Sequence, residues 1–262
     1  MSIKLNHSFH LVNVSPWPFM MSLMNMLLVI GLLSWFHMNQ LNLLFLALFV
    51  FLLNMYQWWR DVIRESFYEG KHSLLVKNGL YWGMIMFIIS EVLFFMSFFW
   101  TFFYSSLAPN IEIGLSWPPK NLIFLNCFYI PLLNSIILLS SGFTVTWAHY
   151  SILENNMYNY LQSMFITIIL GIYFMMLQGF EYFNLMFCIN SSVFGSIFFV
   201  ATGFHGFHVI VGLIFLILCF FRGVIKHFSS FHHFNFEAAV WYWHFVDVVW
   251  LFLYMNIYWW MN

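Results

Sequence analysis

The sequence predicts an all-α, polytopic membrane protein with seven transmembrane helices. Three observations carry that prediction. The chain is 63% hydrophobic, 24% aromatic and only 6% charged, whereas soluble domains are roughly 45–50% apolar and 25% charged. Seven stretches are apolar over the roughly 20 residues that a helix needs to cross a bilayer core about 30 Å thick. The basic residues fall almost wholly on one side of those seven stretches.

The spans run, in order, over about 18–36, 41–59, 79–106, 129–148, 158–184, 191–222 and 236–260. HMNQ alone joins the first two, so they form a tight antiparallel hairpin. YQWW at the end of the second places amphipathic rings at headgroup level, beside the charged RDVIRE. Several later spans exceed the minimum length and are expected to tilt. Pro131 falls in the first turn of the fourth, where its missing N–H costs little. WYW and YWW lie towards the two ends of the seventh, WYW suiting either core packing or the interface.

Seven crossings put the N-terminus and the second, fourth and sixth loops on one side. That side holds Lys4, Arg60, Arg64, Lys71, Lys77, Arg222 and Lys226, and the other holds only Lys120. The asymmetry sets orientation by the positive-inside rule, and losing or merging a span would scramble it. The longest loop is expected at about 60–78, where Arg60, Arg64, Lys71 and Lys77 face Asp61, Glu65 and Glu69 in sequence. Its arginines, with Lys71 and His72, suit anionic headgroups. Local ion pairs in a solvated loop are the equal alternative.

A net charge of −1 predicts no nucleic-acid partner. Cys127, Cys188 and Cys219 are far apart in apolar surroundings and read as buried small hydrophobes. MSIKLNHSFHLVNVSPWP has no basic region followed by an apolar one, so no cleaved secretory signal is expected. Phe is abundant at 36 residues and Ala is scarce, a bias that hints at an A/T-rich genome of the organelle kind.

Ionisable residues inside spans are expensive and face protein or a cavity. Glu91 sits in FIISEVLFFMSFFW, where its own helix face offers no group to neutralise it. A lone acid there is expected to stay protonated. The sixth span carries His205 and His208, and the seventh His244 and Asp247, each pair three apart on one face. Three readings compete. Histidines on facing helices ligate haem or metal, but one His-x-x-His helix is a poor haem site, and most of the eleven histidines lie in termini, loops or helix ends. A proton path needs a polar chain, and near Glu91 the third span offers only Ser90 and Ser97. The structural reading, favoured for most of the set, has each buried polar group pair with a neighbouring helix, Glu91 with His205 or His208. Ala201, Gly203, Gly206 and Gly212 would let the sixth helix approach its neighbours.

The runs MYQWWRDVIRES, FIISEVLFF, FFWTFFYSSLAP, LLSSGFTVTWAH, FVATGFHGFHVIVG and HHFNFEAAVWYWHFVDVVWLFLY resemble the subunit III family of cytochrome c oxidase in order, spacing and total length. The resemblance covers essentially the whole chain. It implies a mitochondrially encoded core subunit of respiratory complex IV, which passes electrons from cytochrome c to oxygen and pumps protons. It implies no redox centre and no metal in this chain, with haem and copper held by partner subunits. Expected partners are subunit I as the main contact, subunit II, small accessory subunits and phospholipids. It implies the inner membrane, with the N-terminus in the matrix and the C-terminus in the intermembrane space.

The resemblance further divides the chain into an N-terminal arm, helices I–II and a matrix-side loop over 1–78, and a five-helix bundle over 79–262. In the family the first two helices splay from the other five, and the cleft holds phospholipids. By matching motif, Arg64, Glu65, His72, Arg222, Lys226 and His227 are expected near headgroups, and Trp58 and Trp59 near the tails. Glu91 matches the family's buried carboxylate, known to react with carbodiimide. The family's role is to stabilise subunit I and sustain its proton uptake. ILENNMYNYL lacks basic residues often found after His149, and EYFNLMFCINSS is unusual, which puts local partner contacts in doubt. A stand-alone transporter or proton channel is the alternative from another class.

Overall fold

The computed structural model describes residue 10 and residues 12–111, 114–119 and 126–260. Lys4, His7 and Lys120 lie outside those residues. The helices are α1 (Trp17–Met38), α2 (Asn42–Phe67), α3 (Leu74–Leu107), α4 (Ile130–Leu153), α5 (Met157–Asn184), α6 (Val193–Val224) and α7 (Phe234–Leu253), the last continuing as a π-helical stretch over Tyr254–Trp259. All seven are long and apolar enough to cross a membrane. Among the described residues there is no strand, only an isolated bridge between Ser229 and His232.

Local chemistry sets the ends. Prolines stand in the first turns of α1 and α4, where no N–H is missed. Asn39 closes α1 with φ of 54°, a left-handed conformation that Asn tolerates. The Asn156 side chain caps α5 by accepting from the Asn159 N–H, and Ser192 caps α6 by accepting from the Gly195 N–H.

The second connection differs from the expected loop of 60–78. The apolar run ends near Trp59, but α2 continues through Phe67 and α3 starts at Leu74. Arg64 and Glu65 are therefore helical, and only His72 among the three lies in the link. The reason is that leaving the apolar layer does not end a helix, since Arg and Glu are good helix formers. α3 ends at Leu107 and α4 starts at Ile130.

The chain forms two compact units, Met1–Leu80 and Tyr81–Asn262. In the first, α1 and α2 pack as an antiparallel hairpin. Gly31 sets their approach, since a Cβ there would meet Leu44 Cα at 2.8 Å. At the open end, Trp17 Nε1 donates to Asp61 Oδ2 at 2.8 Å.

In the second unit, α4 packs on α5, α5 on α6, α6 on α7 and α7 back on α4. The seventh span is the centre of this unit, with 61% of its most apolar window buried against 6% for α1. Trp243 and Trp250 are fully buried and staple α7 to α4, donating to Ser141 Oγ at 2.9 Å and Ser135 Oγ at 3.1 Å. Small residues make the room: a Cβ on Gly171 of α5 or Gly212 of α6 would meet the Trp243 ring at 2.9 Å. Close approach at glycine, with hydrogen bonds across the seam, is how helices associate where the solvent is as apolar as the side chains.

Candidate functional site

The polar residues at membrane depth collect on the inner faces of α3, α6 and α7. His208 is buried among the rings of Phe95, Tyr242 and Phe245. Its Nδ1 lies 2.6 Å from the Phe204 carbonyl oxygen, and its Nε2 lies 2.8 Å from Glu91 Oε2. A carbonyl only accepts, so Nδ1 carries the hydrogen. The single acid that the sequence places in an apolar shell therefore has a partner one helix away. The bond also ties α3 to α6.

His205, three residues before, is buried against Trp250 and Phe174, with Nε2 at 3.3 Å from the Val246 carbonyl oxygen. It reaches α7, not Glu91. His244 and Asp247 share a face as their spacing requires, but Nδ1 and Oδ2 are 3.9 Å apart and form no hydrogen bond. Asp247 Oδ2 instead lies close over Gly142 of α4, where a Cβ would come within 3.0 Å of it.

The candidate lipid-facing residues fall in both units. In the first, Trp59 and Arg64 are exposed, while Trp58, Glu65 and His72 are half-buried. Local pairing is present there: Arg60 and Arg64 approach Asp61 Oδ1 at 3.0 and 3.8 Å, and Lys71 pairs with Glu69. In the second, Arg222 ends α6 with its guanidinium 4.8 Å over the Phe228 ring, and its Nε has no hydrogen-bond partner. Lys226 is exposed and takes the left-handed conformation, with φ of 57°. Burial, and next the Arg222 charge, hold the His227 imidazole below its ordinary pKa.

The model of the family described as "Cytochrome c oxidase subunit III" matches residues 7–262. The chain belongs to the cytochrome c oxidase subunit III family. Relatives named cytochrome c oxidase subunit 3 are similar along their whole length. The one from Aedes aegypti is 58% identical over 262 residues, covering 100% of both chains. The one from Ovis aries is 59% identical over 254 residues, covering 97% of each. The one from Drosophila melanogaster is 57% identical over 260 residues, covering 99% of each. As a member of the subunit III family the chain is a subunit of complex IV, and so sits in an assembly with other subunits.

Sequence reasoning missed two polar groups in this family member. Glu181, near the end of α5, is fully buried and accepts from the Tyr258 hydroxyl at 2.7 Å, across to the π-helical end of the seventh span. It stands in EYFN, in the last turn of the fifth span, where a polar residue is ordinary. The other group joins His149, His233 and Glu237. The spacing of His233 and Glu237, four apart at the start of a helix, is the only signal for it in the sequence.

Proposed function

We propose that the chain is a non-redox core subunit of cytochrome c oxidase in the mitochondrial inner membrane, with its N-terminus in the matrix. It braces the catalytic subunit and retains phospholipid, in support of electron transfer from cytochrome c to oxygen coupled to proton pumping. The haem and copper of that chemistry belong to partner subunits, subunits I and II. The observation that carries this reading is the use made of His208. Its ring nitrogens are engaged by the Phe204 carbonyl and by Glu91, so it ties α3 to α6. The contacts of His208 with Glu91 and of His205 with the Val246 carbonyl join helices, as a scaffold needs.

Lipid retention rests on the two basic ends. Arg64 and His72, with Trp58 and Trp59 nearby in sequence, offer one set of headgroup and tail contacts, and Arg222, Lys226 and His227 offer another. Arg222 places a guanidinium at the end of α6, a charge that suits a phosphate group. Arg222→Ala in the assembled oxidase is expected to lower the phospholipid retained after mild detergent. A basic residue near the membrane surface is worth about 1 kcal/mol, roughly fivefold in lipid affinity. Unchanged lipid content overturns the lipid role. A chain that purifies alone and conducts ions in liposomes overturns the subunit role.

A further inference from the structure

The residues His149, His233 and Glu237 meet where α4 ends and α7 begins. His149 Nε2, His233 Nε2 and a Glu237 carboxylate oxygen all lie within 4.8 Å of one another. His233 is only 7% exposed. Its Nδ1 lies 3.0 Å from the Ser229 carbonyl oxygen and so carries a hydrogen, which turns Nε2 towards Glu237. That Nε2 is 2.9 Å from Glu237 Oε1, and the two form no hydrogen bond because the oxygen lies off the direction an N–H would take. His149 Nε2 is 3.7 Å from the same oxygen, also buried and also without a hydrogen-bond partner. Two imidazole nitrogens therefore face one carboxylate oxygen. The contrast with His208 and Glu91 is direct, since there the same two groups are aligned and bonded.

We propose that His149, His233 and Glu237 form a binding site for a divalent transition-metal cation of the zinc class. Imidazole and carboxylate are ligands that zinc accepts, and two His with one Glu leave a fourth position for water. With metal–ligand bonds of about 2.0–2.1 Å, tetrahedral ligand atoms stand about 3.3 Å apart, and the observed 2.9 and 3.7 Å bracket that separation. The metal sits on the lone-pair axis of each nitrogen, so the next ligand atom must lie off that axis, as Glu237 Oε1 does. Outer partners are in place. Ser229 fixes the tautomer of His233, and the Tyr81 hydroxyl donates to the second oxygen of Glu237. The His149 side chain is 36% exposed and gives the site a way in.

The test is zinc added to the purified, assembled oxidase, located by anomalous scattering at the zinc edge. The expected result is a peak bonded to His149 Nε2, His233 Nε2 and Glu237 Oε1. His233→Gln should remove that peak and about one zinc per complex. Tyr81→Phe should keep the ligands and weaken zinc binding by about tenfold. No peak at these atoms in the unmodified complex overturns the proposal, and so does a peak of equal height in an assembled His233→Gln complex. Where His233→Gln fails to assemble, the map of the unmodified complex decides alone.

Discussion

Trp243→Ala is expected to destabilise the Tyr81–Asn262 unit by about 3–5 kcal/mol. The indole fills the space left by Gly171 and Gly212 and donates to Ser141 Oγ at 2.9 Å. In lipid there is little transfer free energy to lose on exposing the ring. The loss comes from packing across α4, α5, α6 and α7, and from a cavity whose glycine walls cannot close without moving backbone. Trp243→Phe keeps most of the volume and loses the hydrogen bond, at about 1 kcal/mol. The measurement is the heat-induced loss of this chain from the purified complex, with the alanine variant leaving at a clearly lower temperature than the phenylalanine one. Equal behaviour of the two would mean that the hydrogen bond, not the packing, holds the seam.

The second large effect is at Glu91 and His208. His208→Leu leaves the Glu91 carboxyl without its partner and is expected to cost about 1–3 kcal/mol, the penalty for an unsatisfied buried polar group. Adding Glu91→Leu to that variant should restore most of the loss, because replacing both partners by apolar groups removes the unpaired one. The double-mutant cycle measures the coupling. Infrared difference spectra supply an independent readout. Breaking the pair removes the hydrogen-bond partner of Glu91, so the Glu91 carboxyl band must shift in His208→Leu. An unshifted band, or additive losses in the cycle, would show that the two side chains do not interact.

The seven spans were legible because each is a run of apolar residues longer than a bilayer core needs, and because basic residues mark one side. Their ends were less so. Hydropathy reports where the apolar layer stops, and α2 runs on from Trp59 through Arg60, Asp61, Arg64 and Glu65 as a helix in polar surroundings. The site was legible in kind, since ionisable residues in apolar runs are conspicuous, but not in pairing. Nothing in one sequence decides that His208 turns to Glu91 while His205 turns to the Val246 carbonyl, because that choice depends on the rotation of α6 against α3 and α7. Spacing was a poor guide for His244 and Asp247, which share a face yet stay 3.9 Å apart. Glu181 and His149 were overlooked for one reason. Both lie near helix ends, where a polar residue is ordinary, and only the tertiary structure shows what each one faces.

A scaffold without an electron carrier makes one direct prediction about the assembled oxidase. Haem and copper are counted per complex before and after this chain is stripped from it. The account predicts that the remaining complex keeps its full haem and copper and that the released chain carries neither. Haem or copper leaving with the chain, in proportion to the amount removed, would contradict it.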